Sequence, residues 1–385
     1  MIGRVALPVP CRTRRGPVVD DDRPSLHQEC PAITFAHRPH SQIAERSQTY
    51  NKTVTASIRD ADPIRRRRGR RRDYAQGLVT RPAPIELPRL DGRRFVVTGG
   101  AAGLGYFTSE RLAGLGAQVT IAARHAGRAA AAIAAIRRIH PDAVIDHRPL
   151  DLASLAAVRD AAAAIAADGP IDGLVANAGA LPWDRPGDTA EGHEGVFGTN
   201  QLGHFALMAR LWPAFAPTAS IVALGSTTHR RARLDFADLE SRRAIPMRRY
   251  GRSKLAVMTT AVELDRRIRA AGLARRSVIA HPGYASGALD PARPGVTPAR
   301  SSAAFRLAIR GWANSKREGA EIVAAAALLG AGGELWGPTG GAFGLKGAPR
   351  REPLAGAVLD PEAGARLWAA SEELTGVEWR IGPAR

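Results

Sequence analysis

The sequence predicts an α/β protein built on a doubly wound parallel sheet, and three observations support this prediction. Short β-branched runs alternate with Ala- and Leu-rich amphipathic stretches from about residue 90 onwards. A glycine-rich turn directly follows the first of these runs. The chain of 385 residues is 45% hydrophobic, enough to fill a large core, yet no apolar run reaches the ~18 residues of a membrane span. Two cysteines are too few for a disulfide framework or a thiolate cluster, and we predict no metal site.

The predicted elements alternate between strand and helix over much of the chain. Arg94–Thr98 (RFVVT) is typical of a buried strand, and Leu104–Leu115 of a helix. Because strands alternating with helices form right-handed βαβ units, we expect a parallel sheet in one domain. The series continues with a strand at Gln118–Ala122, a helix at Gly127–His140, a strand at Val144–Pro149, a helix at Ala153–Ala167, and strands at Leu174–Ala176, Ser220–Leu224 and Ser277–Ala280.

Residues 1–87 are predicted to be a disordered, Arg-rich extension, and residues 88–385 to be the folded domain. Through Leu90 the chain carries 18 Lys and Arg against 9 Asp and Glu, almost half of its net charge of +19, without sustained periodicity. The run Arg65–Arg72 indicates either a solvated segment or an arm for nucleic acid. No aromatic residue interleaves with it, so nucleic acid is the less favoured partner.

The origin of this extension is a separate question. The chain contains 51 Arg but only 4 Lys, a bias that GC-rich coding DNA produces. We therefore hypothesise that part of residues 1–87 is an upstream extension from a misplaced start codon. No apolar core of signal-peptide length follows the basic stretch, and we expect a cytoplasmic protein.

A phosphate-binding turn is predicted between the first strand and the first helix. The sequence there is Thr98-Gly-Gly-Ala-Ala-Gly-Leu-Gly105. Glycines allow a tight turn and a close backbone approach to a pyrophosphate, while the helix N-terminus offers free N–H groups and a positive dipole. This strand–turn–helix context makes a dinucleotide site the favoured interpretation.

The spacing TGxxxGxG, together with six later motifs, resembles the short-chain dehydrogenase/reductase family, whose fold is a Rossmann fold. The likeness covers roughly Leu90 to Trp379. The later motifs are Asp151-Leu152, Asn177-Ala178-Gly179, Asn200 in TNQLGHF, Ser226 in ALGSTTH, Tyr250 and Lys254 in YGRSK, and His281-Pro282-Gly283.

The resemblance implies a set of residues that bind a nicotinamide dinucleotide. Asp151 and Leu152 would contact the adenine, Lys254 the nicotinamide ribose, and Ser286 the nicotinamide amide or a phosphate. The implied cofactor-binding set is Thr98, Gly99, Gly103, Leu104, Gly105, Arg124, Asp151, Leu152, Asn177, Ala178, Gly179, Tyr250, Lys254, Pro282, Gly283 and Ser286.

The end of the second strand favours NADP over NAD. An NAD site needs an acidic residue about 20 positions beyond the glycines, and none occurs from Arg111 to Pro141. Arg124 follows the strand and would pair with a 2′-phosphate. The alternative is that Arg124 is a solvated strand-end cation. Ala101 and Ala102 occupy positions where many NADP-preferring relatives carry a basic residue.

Four residues are predicted to be catalytic. Tyr250 and Lys254 stand at i and i+4, so both face one side of a helix. A free tyrosine has a pKa near 10, and a nearby ammonium lowers that value by stabilising the phenolate. The resemblance makes Tyr250 the proton donor and acceptor, Ser226 the hydrogen-bond partner of the substrate oxygen, and Asn200 the organiser of a helix kink and a water.

Three neighbouring side chains leave alternatives open. Ser226 follows a strand, where a serine can simply cap a turn, and we favour the catalytic role. His204 and His229 show no spacing to a carboxylate or metal ligand, so we predict that neither is catalytic, although His229 could line the pocket.

The substrate region points to one branch of the family. The insert between Ser226 and Tyr250 resembles retinol-dehydrogenase-like and protochlorophyllide-reductase-like members. The latter use a cysteine near the substrate, and this domain has none. We expect a lid at about residues 285–315, where Phe305 and Trp312 predict an apolar lining.

The sequence therefore predicts an oxidoreductase that moves a hydride between NADP(H) and an apolar carbonyl or alcohol substrate. Two alternatives remain: a catalytically silent NAD(P)-binding sensor or scaffold, and a nucleic-acid binder using the basic arm. The resemblance also implies a possible homo-oligomer, although extended members of the branch include monomers.

Overall fold

The computed structural model describes residues 85–184, 186–297, 301–340 and 344–382. The Arg-rich extension predicted for residues 1–87, including the run Arg65–Arg72, therefore lies outside the described residues except for its last three positions.

Within these ranges, eight strands form one twisted sheet in the order β3-β2-β1-β4-β5-β6-β9-β10, and β7 and β8 pair separately. All neighbours in the large sheet are parallel except β9 and β10, which are antiparallel. The strands are β1 (Arg94–Thr98), β2 (Gln118–Ala123), β3 (Ile145–Pro149), β4 (Ile171–Ala176), β5 (Phe215–Leu224), β6 (Arg276–Ala280), β7 (Ala285–Ser286), β8 (Asn314–Ser315), β9 (Leu335–Gly340) and β10 (Lys346–Glu352).

Helices cover both faces of the sheet. A π-helical turn at Gly198–Leu202 joins α4 to α5. The α-helices are α1 (Gly103–Gly114), α2 (Ala126–Ile139), α3 (Leu155–Ala167), α4 (Gly195–Phe197), α5 (Gly203–Leu211), α6 (Pro246–Ala270), α7 (Ala303–Ile309), α8 (Lys316–Leu329), α9 (Gly356–Leu359) and α10 (Pro361–Thr375). Over the described residues, none of these helices is both long and apolar enough to cross a bilayer.

The two faces of the sheet build two cores, because neighbouring side chains of a strand point in opposite directions. On β1, Val97 packs in the core formed with α1, α2 and α8, whereas Val96 packs in the core formed with α3, α5, α6 and α10. Since β1 is buried on both faces, it is hydrophobic without alternation, as the sequence predicted.

The predicted fold class is confirmed, with differences at the strand ends and at one sheet edge. Strands β4 and β5 begin at Ile171 and Phe215, several residues earlier than predicted. Strands β9 and β10 were not predicted from the sequence, and their antiparallel pairing makes the sheet mostly rather than wholly parallel. Strand β10 (KGAPRRE) contains a proline and four charged residues at an edge, so it has no apolar alternation to detect.

Candidate active site

The glycine-rich turn closes tightly against the end of β4. Gly103 adopts a φ of 58°, in the left-handed region that favours glycine. A Cβ atom at Gly105 would lie only 2.4 Å from the carbonyl oxygen of Gly99 and 2.5 Å from Asn177 Nδ2. Asn177 donates from that amide to the carbonyl oxygen of Thr98 at 2.9 Å. The turn and the Asn-Ala-Gly segment therefore form one packed unit.

The N-terminus of α1 leaves backbone donors available beside this turn. Its N-cap is Ala102, which offers no side-chain cap, and its first turn contains no acidic residue. Uncapped N–H groups and the helix dipole attract an anion, and the missing Cβ atoms let a phosphate approach. These residues fit the pyrophosphate of a dinucleotide.

His204 links the glycine-rich turn to Asn200 through hydrogen bonds in the protein interior. The Thr98 hydroxyl accepts from the Ala178 N–H at 2.9 Å and lies 2.9 Å from His204 Nε2. His204 Nδ1 lies 3.0 Å from the carbonyl oxygen of Asn200. A carbonyl can only accept, so Nδ1 carries the proton and Nε2 accepts from Thr98. Burial lowers the pKa of His204 to about 4, so the imidazole is neutral at pH 7.

Asn200 is held on all sides within the π-helical turn. Its Oδ1 accepts from the Ala180 N–H at 2.7 Å, and its Nδ2 donates to the Ala180 carbonyl oxygen and to Ser253 Oγ, both at 3.1 Å. A π-turn inside a helix commonly marks a functional site, because it redirects backbone groups. Asn200, which the resemblance makes the organiser of a helix kink, thus lies inside a π-helical turn.

Tyr250 and Lys254 face the same side of α6. The Lys254 Nζ atom lies 5.9 Å from the centre of the Tyr250 ring and donates to the carbonyl oxygen of Leu224 at 2.9 Å. Burial lowers the pKa of Lys254 to about 8, because the charged ammonium loses hydration. A Cβ atom at Gly179 would lie 3.0 Å from Asn200 Oδ1 and 3.8 Å from Lys254 Nζ. The structure therefore brings the ends of β4 and β5, Asn200 and α6 together.

Ser226 caps the 3₁₀ turn Thr227–Arg231, as the alternative interpretation expected. Its Oγ accepts from the Thr228 N–H at 3.3 Å and from the Thr228 hydroxyl at 3.0 Å. Because both contacts use the oxygen as an acceptor, the hydroxyl proton of Ser226 remains available to donate. Capping is thus compatible with a hydrogen bond to a substrate oxygen.

His229 packs behind Ser226. Its Nδ1 contacts the carbonyl oxygen of Ser226, and its Nε2 is buried without a hydrogen-bond partner among the described residues. Burial lowers the pKa of His229, which favours the neutral ring.

The other predicted cofactor residues lie at the carboxyl edge of the sheet. Arg124 is exposed after β2, and its side chain forms no hydrogen bond or ion pair with the described residues. Asp151 Oδ1 accepts from the Ala153 N–H at 3.0 Å, whereas the Leu152 side chain packs in the core. After β6, Gly283 has a φ of 71°, and Ser286 Oγ accepts from the Ala288 N–H at 3.3 Å.

Lys316 is a cation near the glycine-rich turn that was not predicted from the sequence. Lys316, the first residue of α8, places its Nζ 3.4 Å from where a Cβ atom of Gly103 would stand. The two residues are far apart in the chain, and no motif joins them. The scarcity of lysine, at 4 residues against 51 arginines, was the available signal.

The short chain dehydrogenase family matches residues 93–284. Polyprenol dehydrogenase from Mus musculus is 37% identical over 303 residues, which cover 76% of this chain and 87% of the mouse protein. Retinol dehydrogenase 13 from Homo sapiens is 30% identical over 317 residues, which cover 80% of this chain and 90% of the human protein.

A solved structure is also similar to this chain in both sequence and fold. The crystal structure of an uncharacterised protein from Mycobacterium paratuberculosis has a TM-score of 0.63 and 32% identity, covering 77% of this chain and 98% of that one. The family predicted from the motifs is thereby confirmed. The chain belongs to the short-chain dehydrogenase/reductase family of NAD(P)-binding oxidoreductases and is similar to its retinol-dehydrogenase-like members.

Proposed function

We propose that this chain transfers a hydride between NADP(H) and the carbonyl or alcohol carbon of an apolar substrate, with Tyr250 as acid and base. The observation that carries the proposal is the convergence of Asn200, Lys254 and the Gly179 backbone beside Tyr250. They meet at the sheet edge that also holds the glycine-rich turn, so a nicotinamide and a substrate carbon could be brought together there.

The proton-transfer step uses side chains of this chain. In the reductive direction Tyr250 donates its phenolic proton to the carbonyl oxygen, and Lys254 stabilises the resulting phenolate. Ser226 donates a hydrogen bond to the same oxygen and holds it beside Tyr250. When bound, the nicotinamide ring supplies or accepts the hydride.

The neutral His204 supports this arrangement without taking part in proton transfer. Its hydrogen bonds tie the Asn200 carbonyl oxygen to Thr98 at the end of β1. Asn200 in turn holds Ala180 and Ser253. We assign His204 as a positioning residue, consistent with the prediction that it is not catalytic.

The preference for NADP(H) rests on Arg124. Its guanidinium is exposed at the end of β2, and acidic residues are absent from Arg111 to Pro141. A free guanidinium attracts a 2′-phosphate, whereas an NAD site would need a carboxylate for the ribose hydroxyl.

The substrate class is supported by the names of two relatives and by the predicted lid. Polyprenol and retinol are both isoprenoid alcohols, and the two proteins named for them align with most of this chain. Within the lid region, Trp312 stacks on Tyr284 with ring centres 4.9 Å apart. We propose an isoprenoid-like alcohol or its aldehyde as substrate. The cytoplasmic location and a homo-oligomeric state stay predictions.

The proposal is tested with isoprenoid, aliphatic and aromatic alcohols and carbonyl compounds, followed at the NADPH absorbance band. We expect turnover of an apolar pair, and we expect Tyr250→Phe to lower kcat by roughly 10²–10⁴-fold while NADPH binding is retained, because only the proton-transferring hydroxyl is lost. Tyr106→Phe is the control, because that hydroxyl bonds Glu110 within α1.

Two outcomes would contradict the proposal. Tight NADPH binding with no turnover across the panel would favour the sensor or scaffold. High residual kcat in Tyr250→Phe would remove Tyr250 from the mechanism.

A further inference from the structure

We propose that Lys316 binds the pyrophosphate of the dinucleotide, so that the segment after the predicted lid forms part of the cofactor site. This inference rests on the proposed function and adds a residue to it. The Lys316 Nζ lies 3.4 Å from the Cβ position of Gly103 and 3.2 Å from that of Gly287. The ammonium is thus placed between the glycine-rich turn and the start of the lid.

The packing of α8 against α1 sets this position. A Cβ atom at Gly319 would lie 2.9 Å from the Cβ of Pro282 and 3.2 Å from Leu104 Cδ1. The absence of a side chain at Gly319 lets the N-terminus of α8 lie directly beside that of α1. Lys316, three residues earlier, is therefore carried to the phosphate-binding turn by a packed helix rather than by a loop.

The backbone of Lys316 is fixed by its neighbours. Ser315 caps α8 in a capping box with Glu318, and Asp290 Oδ1 accepts from the Lys316 N–H at 2.6 Å. Asp290 ends the 3₁₀ turn of the lid, Gly287–Leu289. The lid and the lysine are therefore connected by a short hydrogen bond.

The electrostatics of this position call for an anion. A cation in the first turn of a helix opposes the helix dipole, and the N-terminus of α1 adds further positive potential beside it. The acidic groups near the lysine are Asp290 and Glu318. Asp290 Oδ1 accepts the Lys316 N–H and its negative charge also interacts with the ammonium, whereas Glu318 is held in the capping box. A bound pyrophosphate would neutralise the ammonium and both helix termini together.

The presence of a lysine rather than an arginine at position 316 also supports the proposal. Positive charge in this chain is supplied by arginine at 51 of 55 positions. Two of the four lysines, Lys254 and Lys316, lie at the cofactor crevice. An ammonium is more compact than a guanidinium, so it fits between two glycine backbones.

The test is binding of NADPH, NADH and adenosine 2′-monophosphate to the full chain, measured by calorimetry without substrate. Lys316→Gln is expected to weaken the binding of NADPH and of NADH by the same factor, roughly ten- to a hundredfold for one charge-assisted contact. The affinity for adenosine 2′-monophosphate should stay unchanged. Arg124→Ala is expected to weaken the binding of NADPH and of adenosine 2′-monophosphate but not the binding of NADH.

Controls separate the two proposals. Lys346→Gln removes a lysine whose ammonium contacts the Arg310 carbonyl oxygen, and it should leave binding unchanged. Lys316→Arg should restore part of the affinity, because it keeps the charge. If the native chain binds NADPH and Lys316→Gln binds it equally well, this inference is wrong. If the native chain binds neither dinucleotide, the proposed function itself fails.

Discussion

His204 shows how one side chain can link two parts of a site. It is 5% exposed and has a hydrogen bond at each ring nitrogen, one to the end of β1 and one to the π-turn. Burial keeps the ring neutral, because a charged imidazolium in this position would lose its hydration. Protonation at low pH should therefore destabilise this buried part of the site.

This dependence predicts a pH effect on stability. The pKa of His204 is about 4 in the folded protein, against an ordinary value of 6.5. Between these values the unfolded chain binds more protons, so the free energy of unfolding falls as pH is lowered through that window, by at most about 1.4 kcal/mol per pH unit from this group. Urea unfolding of the native chain and of His204→Gln should differ in slope between pH 6.5 and 4. Parallel pH profiles would exclude His204 as the cause.

At the scale of elements, the contact between the glycine-rich turn and the Asn-Ala-Gly segment organises the site. The backbone of Gly99 is fixed against β2, because its N–H donates to the Ala122 carbonyl oxygen at 2.8 Å. On the other side of the turn, the Asn177 side-chain amide donates a hydrogen bond to the carbonyl oxygen of Thr98. The position of α1, and hence of its free N–H groups, follows from this packing.

A methyl group at Gly105 should therefore disturb cofactor binding and stability together. Gly105→Ala is expected to lower the free energy of unfolding by about 1–3 kcal/mol through overpacking, and to weaken NADPH by at least roughly tenfold as the turn moves. Chemical unfolding and calorimetry measure the two effects.

Gly127 offers a matched control. A Cβ atom there would meet nothing within 4 Å, and the residue lies in the first turn of α2. Gly127→Ala should leave NADPH binding unchanged and stability equal or up to about 1 kcal/mol higher. Equal behaviour of the two variants would contradict the packing argument.

At the scale of the whole molecule, the C-terminal segment is part of the core. Trp379 is 3% exposed; its ring stacks on Trp368 at 4.7 Å and meets Phe205 edge-on at 5.2 Å. Phe205 belongs to α5, which follows directly on the π-turn. The packing of the last residues thus supports the helix that carries the site.

Removing this aromatic contact should destabilise the whole protein. Trp379→Ala is expected to cost about 3–5 kcal/mol of unfolding free energy, the usual effect of deleting a buried tryptophan. Val144→Ala, at a side chain that is 60% exposed, should change stability by less than about 0.5 kcal/mol. Thermal or urea unfolding of the two variants measures these changes. A small loss of unfolding free energy in Trp379→Ala would mean that the C-terminal segment packs only on the surface of the protein.

Much of the site was predictable because local patterns encode it. The glycine spacing, the i, i+4 pair of Tyr250 and Lys254 and the serine after β5 can be recognised in short windows of sequence. For Ser226 the sequence left two alternatives open, a turn cap and a hydrogen-bond partner of the substrate, and the structure shows the cap. Each of these features depends on neighbours that are close in the chain.

Other features were not predictable, because they depend on residues distant in the chain. The bonds of His204 to Thr98 and of Asn200 to Ser253 require the sheet order, and the edge strand β10 has no apolar period.

Periodicity and motif spacing were sufficient to predict the strand–helix alternation, the glycine-rich turn and the placement of Tyr250 and Lys254 on one side of a helix, because those depend on backbone geometry over a few residues. The neutral state of His204, the position of Lys316 beside Gly103 and the role of Trp379 in the core arise only when distant segments pack together. Burial and hydrogen bonding set protonation states and ion positions, and neither exists until the chain has folded.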